Sequence, residues 1–143
     1  RVVPFREMEY TVPAELGPAC LKEILATIVE KNIPVIFPIE YRYTKKDDIW
    51  LSMFSQQDGC SISIHQFADE DFVEYFAQIE PILRKYNGRA HWGKLHTLGP
   101  QELSDLYPHW QDFLAMRESI DPNQQLVNSH LAQIFGLGEL TNA

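Results

Sequence analysis

Apolar and polar residues alternate from Phe5 to Val12, with Phe5, Glu7, Glu9 and Thr11 on one side and Arg6, Met8, Tyr10 and Val12 on the other. This period of two predicts a first strand, and Arg1, Val2, Val3 and Pro4 lead straight into it. Beyond Pro13, Gly17 and Pro18, the residues Leu21, Ile24, Leu25 and Ile28 recur at helical spacing, and Lys31 and Asn32 supply the helix end. β-branched and aromatic content rises from Pro34, predicting a second strand with Val35, Phe37, Ile39, Tyr41 and Tyr43 on one face and Ile36, Pro38, Glu40 and Arg42 on the other. Lys45 to Gly59 reads as a polar connection with one buried anchor around Trp50. Cys60 to Phe67 alternates most clearly, with Cys60, Ile62 and Ile64 opposed to Ser61, Ser63 and His65. Asp69 is placed to cap a helix through Phe72, Val73, Phe76, Ile79 and Leu83, which Pro81 is expected to kink or break. Asn87 and Gly88 end that helix, and Arg89 to Thr97 forms a fourth strand.

The order strand, helix, strand, strand, helix, strand is the split βαβ pattern, so the expected fold is α+β, a ferredoxin-like antiparallel sheet with both helices on one face. The last third adds helices: Tyr107, Trp110, Phe113 and Leu114 recur at spacings of three and four. The turn Asp121-Pro122-Asn123 follows, and Asn128 caps a short helix that Gly136 stops. At 143 residues and 45% hydrophobic, the chain has length for one domain, 1–143, with a real core. Twelve Lys and Arg against 20 Asp and Glu leave a net charge of −8, and no basic cluster exists, which argues against nucleic acid as a partner. No apolar run approaches the ~20 residues that span a bilayer, so the chain reads as soluble and cytoplasmic, and two cysteines make no disulfide framework. The abrupt start at Arg1 reads as a piece of something longer.

If the helices cover the apolar side of the sheet, Glu7, Glu9, Glu40, Arg42, Ser61, Ser63 and His65 share the other face. A solvated face is the ordinary outcome for an antiparallel sheet. A binding surface is the sharper reading, because Glu40 and Arg42 at a spacing of two, together with an imidazole, suit the fixing of hydroxyls and the handling of protons. The run His91-Trp92-Gly93-Lys94-Leu95-His96 adds two imidazoles, an indole and an ammonium, with Gly93 where a strand can bulge. No metal is expected: His91 and His96 are five apart, and an unbroken strand points them to opposite faces. Cys60 lies on the apolar side, where a buried thiol is inert.

These segments resemble the C-terminal, substrate-side domain of the FAD-linked aldonolactone oxidases. The family comprises the sugar-lactone oxidases and dehydrogenases of the D-arabinono-1,4-lactone and L-gulono-1,4-lactone type among the vanillyl-alcohol-oxidase-like flavoproteins, with alditol oxidase a relative. The resemblance rests on Met8-Glu9-Tyr10 with Val12-Pro13, on Phe37-Pro38-Ile39-Glu40-Tyr41-Arg42, on Ile64-His65-Gln66, on His91-Trp92-Gly93-Lys94, and on the ending from Asp121-Pro122 through Leu126-Val127-Asn128 to Phe135-Gly136. It implies a partner, an N-terminal FAD-binding domain of the same protein, and a sugar-lactone or polyol substrate. It implies that Glu40, Arg42, Lys94 and His65 carry catalysis, with Lys94 and His91 toward the cofactor, His91 being alternatively structural in its motif. It leaves membrane association of the parent enzyme open. The seven glycines are scattered and form no phosphate-cradling loop. The chain alone is therefore expected neither to hold FAD tightly nor to turn over substrate. The competing reading is a stand-alone ferredoxin-like module whose open sheet face binds a small acid or a protein.

Overall fold

The computed structural model describes residues 4–137; the strand-like reading of Arg1 to Val3 lies outside them. The elements are β1 (Phe5–Pro13), α1 (Gly17–Glu30), β2 (Glu40–Thr44), β3 (Gly59–Phe67), α2 (Phe72–Lys85), β4 (Arg89–Ala90), α3 (Pro100–Leu106), α4 (Trp110–Ile120) and α5 (Ser129–Phe135). The strands make one antiparallel sheet in the order β2-β3-β1-β4. Non-consecutive neighbours at the centre are what the split βαβ connection produces, so the expected α+β architecture holds. β1 and β3 pair along their whole length, from Phe5 opposite Phe67 to Pro13 opposite Gly59. Met8, Tyr10 and Val12 of β1 and Cys60, Ile62 and Ile64 of β3 are buried on one face. Against them lie Cys20 and Ile24 of α1 and the stripe Tyr75, Phe76, Ile79, Ile82 and Leu83 of α2. Burial pushes the Cys20 thiol up to about 12 and raises that of Cys60 as well, which keeps both unreactive.

Five expectations are corrected. β2 starts at Glu40, not at Pro34, because Pro34 and Pro38 cannot donate to the ladder; instead the Gln66 side chain donates to the Pro34 carbonyl at 2.9 Å. The irregular backbone also carries Phe37 to the face opposite its expected one, where it packs on Phe5, His65 and Phe67. The cap of α2 is Asp71, which accepts from the Val73 and Glu74 amides, two residues beyond Asp69. Pro81 sits inside an unbroken α2. Its lost hydrogen bond costs about 3 kcal/mol. Five buried apolar side chains on the same helix, each worth roughly 1.5–3 kcal/mol, outweigh that loss. Trp50 is half-buried and stacked on His109 rather than serving as a buried anchor; the connection is tied down at Ser55, whose carbonyl takes Arg89 Nη1 at 2.8 Å.

The fourth strand is the correction that matters for the site. Only Arg89–Ala90 is regular; the His91 amide still donates to the Glu9 carbonyl at 2.9 Å and the Leu95 amide to the Glu7 carbonyl at 3.0 Å. Between those bonds Trp92, Gly93 and Lys94 leave the ladder, closed by Lys94 N to His91 O at 3.0 Å. The His91–Leu98 segment is thus a strap that touches β1 at two points and bulges between them. The C-terminal helices follow their signals: Asn128 accepts from the Leu131 amide, and Gly136 stops α5 in the left-handed region at φ 67°. Tyr107, expected within the helix, instead follows α3 as its cap.

Candidate active site

The face away from α1 and α2 is not uniformly open. Thr11, Ser61, Ser63 and Arg89 are buried there. The 45–58 connection lies over this half: Arg89 donates to the carbonyls of Ser55 and Leu106, and a Cβ on Gly59 would meet the Phe54 ring at 2.7 Å. The other half, at the Phe5 end of β1, stays accessible and carries nearly all of the ionisable groups.

Those groups form one chain of alternating charge. Glu40 pairs with Arg42 Nη1, and Arg42 Nη2 donates to Glu9 Oε1 at 2.9 Å. Lys94 Nζ bridges Glu9 Oε2 and Glu7 Oε1, and His65 Nε2 lies 3.2 Å from Glu7 Oε1. Strand register explains the arrangement: Glu9 is opposite Ser63, Glu40 opposite the same Ser63 from the other side, and Glu7 opposite His65. Exposure grades outward, from 7% for the Glu9 side chain through 19% and 21% for Glu7 and Lys94 to about half for Arg42 and Glu40. Glu9 is therefore the buried centre of the cluster and Arg42 and Glu40 are its rim.

Burial works against ionisation of Glu9, but the Lys94 ammonium and the Arg42 guanidinium outweigh it and hold the carboxyl below its ordinary range. For Lys94, burial alone would favour the neutral amine, and Glu7 with Glu9 overturn it, so the amine titrates above its usual value. A depressed carboxyl stabilises the fold above the unfolded-state pKa and loses that contribution as pH falls through the folded one. Glu9→Gln should therefore lower the melting temperature at neutral pH, and the difference from the parent chain should shrink below pH ~4, near and below the unfolded carboxyl value. Thermal unfolding of both chains from pH 7 to pH 3 measures this; a constant difference would remove the ionic role.

His65 lies beneath Glu7, buried among Phe5 and Phe37, and its Nδ1 has no partner. His91 is not brought into the cluster: it is exposed, its Nδ1 accepts the Gly93 amide at 3.1 Å, and it lines a depression with Met53, Phe54 and Tyr107. The strand argument against a metal at His91 and His96 does not survive the broken strand, and among the described residues no cluster of three His, Cys, Asp or Glu is placed to hold one. Glu7 and Glu9 are the residues that sequence reasoning put on the right face but not in the site. The signal was available in the β1 alternation; the missing information was that the strap returns Lys94 to them. Beside Glu7 and Lys94 a depression of about 440 Å³, rimmed by Phe5 and Trp92, opens to solvent.

The cluster's donor set fits the redox end of a flavin. Two cations with unused N–H groups face the open side, Lys94 having three donors with two engaged and Arg42 five with two engaged. Among the described residues nothing resembles a cradle for the phosphates of such a group.

Residues 1–134 match the family model described as D-arabinono-1,4-lactone oxidase. The chain is 38% identical over 136 residues to an L-gulono-1,4-lactone dehydrogenase of Mycobacterium tuberculosis, covering 95% of this chain and 32% of that protein. It is 33% identical over 133 residues to an L-gulonolactone oxidase of Bos taurus, covering 89% of this chain and 30% of that protein. An alditol oxidase of a Streptomyces species is 28% identical over 103 residues, 71% of this chain and 25% of that protein. The chain thus spans about a third of the length of the curated relatives it matches. No helix among the described residues is long and apolar enough to cross a membrane.

Proposed function

Because this chain belongs to the D-arabinono-1,4-lactone oxidase family, we propose that it is the C-terminal domain of an FAD-dependent sugar-lactone oxidase or dehydrogenase and supplies the substrate side of its active site. Its relatives are oxidoreductases named for aldonolactones, and they are longer proteins of which this region is about a third. The single observation that carries the reading is the chain of alternating charge Glu40–Arg42–Glu9–Lys94–Glu7, with the His65 imidazole against Glu7 at its end, on the half of the sheet that the molecule leaves open. A stand-alone binding module is not favoured, since the family match runs over nearly the whole chain.

Oxidation of a secondary alcohol beside a lactone carbonyl takes a proton from oxygen and a hydride from carbon. Hydride acceptance is the chemistry that FAD supplies when bound, and a further domain of the same protein would hold most of the cofactor. Lys94 and Arg42 would hold the flavin's redox end and the substrate oxygen, stabilising negative charge as the proton leaves. Glu40 fixes the Arg42 fork from one side and Glu9 from the other, so the guanidinium is oriented before substrate arrives. Glu7, with His65 behind it, lines the depression and would take up the hydroxyl proton. The apolar rim of Phe5 and Trp92 would exclude water from the reacting carbon.

The test is made in the longer, flavin-carrying protein with aldono-1,4-lactones as substrates. Arg42→Ala should lower kcat/KM by about 100-fold and lower the melting temperature only modestly, since its pair with exposed Glu40 is worth roughly 0–1 kcal/mol and Lys94 still pairs with buried Glu9. Parent-like kinetics on every lactone and polyol offered would overturn the assignment.

A further inference from the structure

The most deeply buried carboxylate outside the cluster is Glu80 on α2, 4% exposed and on the helix side of the sheet. Among the described residues no cation lies within ion-pair distance of it. Three hydrogen bonds hold it instead: from Tyr10 Oη of β1 to Oε1, from the Thr97 amide to Oε1 at 2.6 Å, and from Thr97 Oγ1 to Oε2 at 2.8 Å. A carboxyl group buried without a countercharge is costly unless hydrogen bonds satisfy its oxygens, and here they do. Two of these three bonds hold the strap, at the residue three positions beyond Lys94. The strap's other attachments include the β1 bonds at His91 and Leu95, His130 Nε2 on the Trp92 carbonyl at 2.9 Å, a long contact from Arg84 Nη1 to Thr97 Oγ1 at 3.4 Å, the buried Leu98 side chain, and the Trp92 ring among Tyr107, Trp110 and Phe135.

We infer that Glu80 is a positioning residue: from the opposite face of the sheet it anchors the C-terminal end of the strap and so fixes the Lys94 ammonium between Glu7 and Glu9. Lys94 stands on a bulge with no ladder bond of its own to β1, between the anchors at His91 and Leu95. The stiffness of its placement depends on those ends. Leu95 is two residues from Thr97, so release of Thr97 leaves one backbone bond, Leu95 N to Glu7 O, to hold the stretch between Lys94 and the buried Leu98. The role in catalysis rests on the function proposed for Lys94; the clamp itself does not.

The clamp is measured in the 143-residue chain by the rate at which Lys94 is acylated by an amine reagent, read by peptide mass spectrometry. Glu80→Ala removes the anchor and should raise the rate about tenfold. Glu80→Gln should stay near the parent rate, because the amide oxygen can accept from Tyr10 and Thr97 N and the amide nitrogen can donate to Thr97 Oγ1. Tyr10→Phe, which takes the third bond but leaves both strap bonds, is the control for lost stability and should not change the rate. Thr97→Val removes one strap bond and should raise it about threefold; it decides the matter if Glu80→Ala does not fold. In the flavin-carrying protein Glu80→Ala should lower kcat about 100-fold, with rescue by Gln. A Lys94 rate unmoved by Glu80→Ala or Thr97→Val, or moved equally by Tyr10→Phe, overturns the clamp. Faster acylation with unchanged kcat upholds the clamp and instead sinks the role proposed for Lys94.

Discussion

Lys94→Met in the flavin-carrying protein is expected to lower kcat for lactone oxidation by roughly 10²–10³-fold, with a smaller change in KM. The ammonium has three N–H donors and spends two on Glu7 and Glu9, leaving one for the oxygen on which charge develops. Methionine fills similar volume and offers no donor, so the loss falls on the step in which charge appears rather than on ground-state binding. The substitution also leaves Glu7 and Glu9 together without the cation between them. Like charges so placed favour protonation of one, so the acid limb of the variant's pH profile should lie at higher pH than the parent's. Arg in place of Lys is not expected to restore the rate, because the longer, planar guanidinium would not leave a donor at the point where the compact ammonium sits between Glu7 and Glu9. Steady-state kinetics of Lys94→Met and Lys94→Arg across pH decide this. A kcat within about fivefold of the parent, with the melting temperature preserved, would take Lys94 out of the chemistry.

The parts of the fold that local pattern controls were legible. β3 alternates from Cys60 to His65, and β1 pairs with it in a register that puts Met8, Tyr10 and Val12 on the helix side. The order of elements was enough to give the sheet order, because the split βαβ connection admits few alternatives. What failed were features decided by groups distant in sequence. Phe37 reads as a strand residue, but two prolines unpair its segment and the aromatic contacts of Phe5, His65 and Phe67 choose its face. The strap reads as a strand because its residues are strand formers, yet it detaches where Lys94 finds two carboxylates 85 and 87 residues away. The site was legible to the same extent. Glu40 and Arg42 announce themselves by spacing on one face, whereas Glu9 becomes the centre only once β2, β1 and the strap are laid side by side. Its burial follows from Lys94 of the strap and Arg42 of β2 closing over a face that periodicity alone marks as open.

The largest expected loss of stability lies away from the charged cluster, at Trp110. Its indole is 2% exposed and meets Tyr107 at 6.3 Å, Trp92 at 5.9 Å and Phe135 at 6.0 Å between ring centroids. These rings come from the strap, from the end of α3, from α4 and from α5, so no single element can move into the space left by removing one of them. Trp110→Ala should therefore cost about 3–5 kcal/mol, transfer and cavity together. For a domain of this size that is a fall in melting temperature of about 10–15 °C. Ile120 and Leu126 serve as the comparison: both line the neighbouring apolar groove of about 400 Å³ and both are more than two-thirds exposed, so Ile120→Ala or Leu126→Ala should change stability by no more than about 0.5 kcal/mol. Because Trp92 belongs to the strap, loosening the aromatic cluster also frees the N-terminal side of the Lys94 bulge. Trp110→Ala should then red-shift the fluorescence that Trp92 contributes and raise Lys94 acylation, while far-ultraviolet circular dichroism below the melting point stays near that of the parent. A melting temperature within about 3 °C of the parent would show that the C-terminal helices and the strap are held by something other than these rings.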